Sequence, residues 1–179
     1  MYSIIYGAGV HRLSNNLHQS EEQTREFLNE FHGVFTNIRP FIDLCIEEAR
    51  QQKCIGTLFG RKRLLDDIDS DDENLRRSDE RKAVNTRIQG SAADLVKLAM
   101  LRVNRAVAKE NIECDPLLQV HDELVYQVRN TDAESVKRFV GLLVREMTGF
   151  GEQLRTKFVV KVKEGGNLAE MTEVDLNSL

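Results

Sequence analysis

The 179-residue sequence has no tryptophan, two prolines and only three cysteines. The cysteines stand at positions 45, 54 and 114, an odd number without CxxC spacing. This pattern argues against a disulfide framework and a zinc knuckle, so we expect reduced cysteines in a cytosolic or nuclear protein. No stretch approaches the roughly 20 apolar residues that cross a bilayer. The first ten residues also lack a basic leader, so we expect neither export nor membrane insertion.

A large excess of positive charge is also missing. The chain has 25 Lys and Arg against 29 Asp and Glu, a formal net charge of −4. Non-specific nucleic-acid binding depends on Lys and Arg that neutralise phosphates, so this balance argues against wholesale electrostatic binding. The charges are unevenly distributed, because six acids crowd into residues 66–73 (DDIDSDDE), flanked by GRKR at 60–63 and RRSDERK at 76–82. Without the acidic segment, the remainder is mildly basic.

Periodicity and capping signals predict mainly helices with a few short strands. The predicted helices begin at a Ser20–Gln23 capping box, near Asn37 to Pro40, near residue 75, and at a second capping box at Thr131 and Glu134. The predicted strands are a short pair within residues 57–65, a hairpin of residues 117–121 and 124–128, and a last strand at 157–163. We expect QGSA at 89–92 to break or kink its helix, and the acidic segment to be a solvated loop. The predicted class is α+β, with a small antiparallel sheet and helices packed on one face.

Three ionisable residues stand at the predicted hairpin turn, in the stretch LLQVHDELVYQV at 117–128. Acids at a turn are usually no more than solvated polar residues. However, His121, Asp122 and Glu123 occupy a turn that lacks the Gly or Asn-Gly that short hairpins favour, and such a local conflict indicates function. Asp122 is a candidate Mg²⁺ ligand. A two-metal centre needs a further carboxylate, and Glu123 is expected to face the other way along an extended chain.

A second candidate site is a polar stripe on the predicted helix after residue 75. Arg81, Asn85 and Gln89 are spaced four residues apart, which places them along one side of a helix, away from Ala83 and Val84. Every base pair presents hydrogen-bond acceptors in the minor groove, so these donors suit a groove contact that does not read sequence. A plain solvated helix face explains the same spacing, and the periodicity does not decide between the two.

Tyr2 and Tyr6 also lie four residues apart on one predicted helix face. Aromatic side chains in this arrangement can stack on bases or sugars. A pair at this spacing is more often part of a hydrophobic core.

Three segments, in this order, resemble the C-terminal part of family A DNA polymerases, the group that includes bacterial polymerase I and the eukaryotic theta and nu enzymes. YSIIYGAGVHRL at 2–13 resembles the end of the fingers helix known as motif B. ERKAVNTRIQGSAADLVKLAM at 80–100 resembles the long palm helix, and LQVHDELVYQV at 118–128 resembles motif C. The resemblance runs through essentially the whole chain, including GRKR at 60–63, and YSIIYGAG is nearest to the nu branch.

The resemblance implies a segment of a DNA-directed DNA polymerase, with residues 1–56 as a partial, helical fingers subdomain and residues 57–179 as the palm. It implies transfer of a nucleotide from a dNTP to a primer 3′ end under the direction of a template, by a two-metal mechanism with Mg²⁺, in DNA replication or repair. The implied partners are primer-template DNA and dNTP. The implied compartment is the nucleus for a eukaryotic source and the cytoplasm otherwise.

The resemblance also assigns roles to the candidate residues. Asp122 is implied to be a ligand of the catalytic Mg²⁺ pair, with Glu123 beside it and His121 near the primer end. Tyr6 is implied to stand by the nascent base pair, and Tyr2 beside the sugar of the incoming nucleotide.

Arg81, Asn85 and Gln89 are implied to contact the minor groove of the primer-template. In the family, the motif A Asp and the Lys and Arg that hold the triphosphate come before the position of Met1. We therefore expect a missing upstream segment to be needed for activity. The main alternative is a non-catalytic DNA-binding or regulatory fragment of such a polymerase, and a third is a domain that binds nothing.

Overall fold

The structure divides the chain into two units, Met1–Asp94 and Leu95–Leu179. The computed structural model describes residues 2–5, 9–129 and 132–176, with the side chains of residues 2, 3 and 152 outside that description. The boundary between fingers and palm at residues 56 and 57 concerns function and stays a prediction. In the described ranges, no helix has both the length and the apolarity that crossing a bilayer requires.

The first unit is mainly helical. Its helices are α1 (Tyr2–Ile5), α2 (Val10–Leu17), α3 (Glu21–Val34), α4 (Ile38–Gln52) and α5 (Glu73–Asn85), and its strands are β1 (Cys54–Gly56) and β2 (Lys62–Leu64). The two strands pair antiparallel, with Ile55 opposite Arg63. The strand pair predicted within residues 57–65 is present, but it begins earlier, so that residues 57–61 form the connecting loop.

The helix starts of the first unit follow the sequence signals closely. Ser20 Oγ accepts a hydrogen bond from the Gln23 backbone N–H at 3.2 Å, and Gln23 Oε1 accepts one from the Ser20 N–H at 3.1 Å. This exchange satisfies two N–H groups that the first turn of a helix leaves without helical partners, and it confirms the predicted capping box. Pro40 lies in the first turn of α4, where a missing N–H is tolerated.

Two small apolar clusters form the core of the first unit. One contains Ile4, Leu13 and Phe31, and the other contains Ala49, Ile55, Leu65, Ile68 and Ala83. Ile68 is completely buried although it belongs to the acidic segment, so the prediction of a fully solvated loop is wrong at this residue. The buried Asp79 fixes the segment, because its carboxylate accepts hydrogen bonds from the Asp67 N–H at 2.9 Å and from Lys82 Nζ at 2.6 Å.

Helix α5 continues into α6 (Ser91–Glu110) through one π-helical turn, Thr86–Gly90. The helix does not break at residues 89–92, and the interruption takes the form of a π-helical turn, a feature that is one of the known causes of helix kinks. Gly90 explains the signal, because glycine weakens a helix but also allows another backbone to approach closely.

The second unit combines helices with two strand pairs. After α6 come β3 (Cys114–Val120), β4 (Glu123–Val128), α7 (Ala133–Thr148), α8 (Gly151–Leu154), β5 (Lys163–Glu164) and β6 (Thr172–Glu173). Ala99 and Val103 of α6 are buried, as are Phe139 and Val140 of α7. The ring of Tyr126 packs edge-on against Phe139, with ring centroids 5.6 Å apart, which joins the hairpin to α7.

The predicted hairpin is present, and its loop is short. Val120 pairs with Glu123, so the loop consists of His121 and Asp122 alone, and Glu123 is the first residue of β4. The register shifts between Pro116 and Leu118, which marks a bulge in β3. His121 has a φ of 53°, in the left-handed region that glycine adopts more readily.

Two details of the second unit differ from the prediction. The N-cap of α7 is Asp132, whose side chain accepts a hydrogen bond from the Ser135 N–H at 2.9 Å, while Thr131 lies outside the described residues. Residues 157–162 form no strand; only Lys163 and Glu164 pair, with Thr172 and Glu173. Phe158, Val160 and Val162 are half-buried between exposed neighbours, as in a strand, and the Val162 carbonyl accepts a hydrogen bond of 2.9 Å from the Val174 N–H. In the described chain, however, the paired residues begin only at Lys163.

The predicted α+β class is confirmed. The strands of the described residues form three separate two-stranded antiparallel sheets, so the hairpin and the C-terminal strand do not share one sheet there. The reason is that strand pairing depends on a distant partner, which alternation within one segment does not reveal.

Ion pairs join α6 to α7 within the second unit. Glu110 accepts hydrogen bonds from Arg145 Nη2 and Arg138 Nε, both at 3.2 Å, and these contacts lower the pKa of its carboxyl. Burial raises the pKa of Glu146, but the hydrogen bonds from Arg145 and Arg102 outweigh it, so the pKa of Glu146 is lowered as well.

We expect acid to weaken the second unit through these two carboxylates. Because both folded pKa values lie below the ordinary value, their stabilisation is present above about pH 4.5 and is lost as the pH falls through the lowered values. Urea unfolding between pH 3 and pH 7 measures the free energy of unfolding. The Glu110→Gln/Glu146→Gln variant should show a shallower fall below pH 4.5, and an unchanged slope would contradict the assignment.

The left-handed turn residue predicts a stabilising substitution. His121→Gly removes a steric cost of about 1–2 kcal/mol and adds an entropic cost of about 0.5–1 kcal/mol. The free energy of unfolding should therefore rise by roughly 0.5–1 kcal/mol. His121→Ala keeps the Cβ and serves as the control, which should not be stabilised. Equal stability of the two variants would show that the backbone at His121 carries no strain.

Candidate nucleic-acid interface and metal ligand

A cleft of about 430 Å³ opens between the β1–β2 hairpin and the π-turn of the first unit. It is lined by Arg61, Lys62 and Arg63 from the hairpin and by Asn85, Thr86, Gln89 and Gly90 from the helix. The lining contains three cationic groups and two side-chain amides but no carboxylate. An anion with hydrogen-bond acceptors therefore suits this cleft better than a cation does.

Arg61 is fixed in place by the helix beside it. Its Nε donates to Asp94 Oδ1 at 2.8 Å, and its Nη2 donates to the Gly90 carbonyl at 3.1 Å. The backbone of the loop is tied as well, since the Thr57 N–H donates to the Arg61 carbonyl at 2.8 Å. Because Asp94 offsets part of its charge, Arg61 serves mainly to hold the hairpin against the helix.

Lys62 and Arg63 carry the available positive charge of the cleft. Both belong to β2, all three of whose residues are exposed, and neither forms an ion pair with any residue in the described ranges. Exposed Lys and Arg side chains that form no ion pair within the protein can bind phosphates without first breaking an internal contact.

Asn85 and Gln89 line this cleft together, as the predicted stripe requires. Gln89 is exposed, and Asn85 is half-buried with its Oδ1 atom lacking a hydrogen-bond partner among the described residues. Ala83 and Val84 are buried on the other side of the helix, as expected. The half-buried Asn85 shows that the stripe is more than a solvated face, since part of it contacts the protein.

Arg81, the first residue of the stripe, lines a different cleft. That cleft measures about 410 Å³ and has Ile42, Ile46 and Val84 among its walls. Arg81 is exposed at its rim. The structure therefore brings Asn85 and Gln89 together with the basic hairpin, and it keeps Arg81 on the same helix one turn earlier.

The tip of the β3–β4 hairpin presents the predicted metal ligand in the second unit. Asp122 is exposed and makes no ion pair or side-chain hydrogen bond with the residues that the structure describes. His121 and Glu123 are exposed beside it, and the His121 carbonyl accepts a hydrogen bond of 3.4 Å from Gln119 Nε2. A carboxylate on a tight turn, open to solvent and unpaired, is suited to bind a hard cation.

The donor set fits Mg²⁺ in part. Mg²⁺ takes one or two protein carboxylates and fills its other positions with water and phosphate oxygens, so Asp122 meets the minimum. Within the described ranges, no three His, Cys, Asp or Glu side chains are grouped to hold a metal ion. A two-metal centre would therefore need a second carboxylate from elsewhere.

The aromatic pair of the sequence prediction is not tested by the structure. Tyr6 lies outside the described residues, and Tyr2 is described only as the first residue of α1. Their proposed contacts with the nascent base pair and the incoming sugar stay predictions.

Arg61, Lys62 and Arg63 are candidate site residues that no sequence motif identifies. Their signal was the basic run GRKR beside the acidic segment. Its meaning depends on the contact with Asp94 and Gly90, which are about 30 residues further along the chain.

Comparisons with known proteins identify the family to which this chain is related. The family model of DNA polymerase family A matches residues 1–170. DNA polymerase I of Caldicellulosiruptor bescii is 37% identical over 169 residues, covering 94% of this chain and 19% of that protein. DNA polymerase theta of Drosophila melanogaster is 31% identical over 182 residues, covering 98% of this chain and 9% of that protein.

A solved structure agrees as well. The POL domain of Pol1 from M. smegmatis, in complex with DNA primer-template and dNTP, superposes with a TM-score of 0.78 at 31% identity. The match covers 83% of this chain and 26% of that one. This chain spans about a fifth of the length of the C. bescii polymerase I. Its assignment to the nu branch stays a prediction. The chain belongs to DNA polymerase family A.

Proposed function

We propose that this chain forms the palm and part of the fingers of a DNA-directed DNA polymerase, which transfers nucleotides from dNTP to a primer 3′ end during replication or repair. The observation that carries the proposal is the cleft in which Lys62 and Arg63 lie beside Asn85 and Gln89. The similar Pol1 domain, whose structure holds DNA primer-template and dNTP, supports the same partners for this chain.

The cleft suits the two kinds of contact that a duplex offers. Lys62 and Arg63 would bind phosphates, which position the DNA without reading its sequence. The side-chain amides of Asn85 and Gln89 would donate hydrogen bonds to the minor-groove acceptors that every base pair presents. Arg81 would extend this contact by one helical turn. Together these residues would test the shape of base pairs rather than their identity.

The hairpin tip would take part in the chemical step. Asp122 would hold Mg²⁺ together with a second carboxylate from a segment outside the described residues. Bound Mg²⁺ supplies charge stabilisation for the attacking primer hydroxyl and the leaving pyrophosphate in a two-metal mechanism. Glu123 would stand beside this site and His121 near the primer end, while Tyr2 and Tyr6 would contact the nucleotide and the nascent pair.

A second function, DNA binding without turnover, is favoured by one observation. Asp122 belongs to no group of three His, Cys, Asp or Glu side chains in the described ranges, so these residues alone do not complete a two-metal centre. The cleft does not depend on that centre, since all of its lining residues belong to the first unit.

Salt dependence tests the cleft. Removing two phosphate contacts in Lys62→Ala/Arg63→Ala should lower the slope of log K against log salt by about 1.8 for a primer-template duplex. Gln89→Ala should weaken binding by about 1 kcal/mol or more and leave the slope unchanged, because it removes a neutral hydrogen bond. Fluorescence anisotropy between 50 and about 200 mM salt gives both quantities.

The control for this measurement is Arg25→Ala/Arg39→Ala, which removes the same charge from α3 and α4 outside the cleft. Its slope should stay close to that of the parent chain. If it loses as much slope as the cleft variant, binding depends on net charge and the cleft has no special role.

Primer extension tests the hairpin tip. We expect the purified chain to extend a labelled primer no faster than Asp122→Ala, because the described residues group no further metal ligands around Asp122. Mg²⁺-dependent binding of dNTP should nevertheless fall in Asp122→Asn and persist in Asp71→Asn, which removes an exposed acid of the acidic segment. Extension above the Asp122→Ala level would disprove the predicted incompetence, and equal dNTP binding by both Asn variants would remove Asp122 as a ligand.

A further inference from the structure

The π-turn at Thr86–Gly90 joins α5 to α6 and contains Gln89, one of the two amide residues of the cleft. π-turns are rare, and they occur most often as single turns inside α-helices at functional sites. Here the turn begins directly after Asn85 and includes Gln89. Its position within the stripe suggests that it acts on the direction of these side chains.

The effect of the turn on the stripe follows from helix geometry. In an α-helix, a step of four residues advances a side chain by about 40° around the axis. Two such steps would turn Gln89 about 80° away from Arg81. In a π-helical turn each residue advances by only about 80° around the axis, so four residues fall about 40° short of a full revolution. The side chain of Gln89 is therefore rotated back, relative to Asn85, by about the angle that the step from Arg81 to Asn85 added. Gln89 therefore returns toward the line of Arg81 and into the cleft that Asn85 lines.

Three contacts hold the π-turn from outside the helix. Arg61 joins the Gly90 carbonyl to Asp94, which lies one turn later. The Leu58 N–H donates to Ser91 Oγ at 2.8 Å, and Glu48 of α4 forms an ion pair with Arg87.

Packing around Gly90 is tight and leaves little space for a side chain. A Cβ built there would lie 3.0 Å from Thr57 Cγ2 and 3.4 Å from Arg61 Nη2. The β1–β2 loop thus presses on the π-turn, and a side chain at residue 90 would push it away.

We propose that Arg61 and Asp94 are positioning residues, which hold the π-turn and thereby align Gln89 with Asn85 and Arg81 for contact with the minor groove. The alignment role rests on the proposed function. The mechanical role, which is the support of the π-turn, is independent of the proposed function. Asp94 is nine-tenths buried and does not line the cleft, so its effect on DNA is indirect, through the contact with Arg61 and the helix.

Hydrogen exchange tests the mechanical role in the 179-residue chain without DNA. In Asp94→Asn, the amides of residues 86–94 should exchange about tenfold faster than in the parent. The matched control is Arg50→Gln, which removes the ion pair of Arg50 with Glu80 and leaves the π-turn contacts intact. Exchange at residues 86–94 that is unchanged in Asp94→Asn, or equally fast in Arg50→Gln, overturns the proposal. If Asp94→Asn does not fold, Arg61→Lys serves instead, because lysine cannot reproduce the two directed bonds of the guanidinium.

A double-mutant cycle tests the alignment role. Asp94→Asn should weaken primer-template binding about three- to tenfold with an unchanged salt slope, since no phosphate contact is lost. Combined with Gln89→Ala, it should add little further loss, because both changes remove the same contact. Additive losses of binding free energy, or full primer-template affinity in Asp94→Asn, would reject the alignment role. The hydrogen-exchange result would still decide whether Arg61 and Asp94 support the π-turn. A parent chain that does not bind primer-template would reject the proposed function itself.

Discussion

The close approach of the β1–β2 loop to the helix at Gly90 is the constraint on which the cleft depends. Arg61 is the link, since one guanidinium contacts both the Gly90 carbonyl and Asp94. With this bond in place, Lys62 and Arg63 project from a short strand beside Asn85 and Gln89. Core packing of Ile55 anchors β1, and the bonds of Arg61 fix the loop end of this short strand pair against the helix.

Charge in the first unit is separated over a short distance along the chain. The acidic segment at 66–73 follows directly after the basic strand, yet the cleft lining contains no carboxylate. Ile68 and Asp79 explain how this is arranged, since the buried isoleucine and the bond from the Asp67 N–H to Asp79 anchor the acidic segment in its own position. A net charge of −4 is therefore compatible with a local anion site.

The hairpin of the second unit combines a strained turn with an exposed carboxylate. His121 adopts a left-handed φ that glycine would take at lower cost, and Asp122 follows it with no internal partner in the described chain. Backbone strain of this kind costs stability and is concentrated at binding sites and active sites. The exposed Asp122 carboxylate, by contrast, is solvated and remains available to a ligand. The packing of Tyr126 on Phe139 gives this turn a rigid base.

Short-range signals in the sequence are sufficient to predict most of the local structure and to single out the candidate residues. Ser20 with Gln23 set a helix start, the spacing of Arg81, Asn85 and Gln89 set the stripe, and alternation set the β3–β4 hairpin, because each of these signals acts between residues close in the chain. Long-range contacts, in contrast, explain why the helix widens at Thr86–Gly90 instead of breaking, why Ile68 is buried, and why the last strand pair begins only at Lys163. The same holds for the cleft, since Arg61 meets Asp94 across 33 positions of sequence. Contacts of this kind depend on which surfaces the chain brings together, and the periodicity of a single segment contains no information about a distant partner.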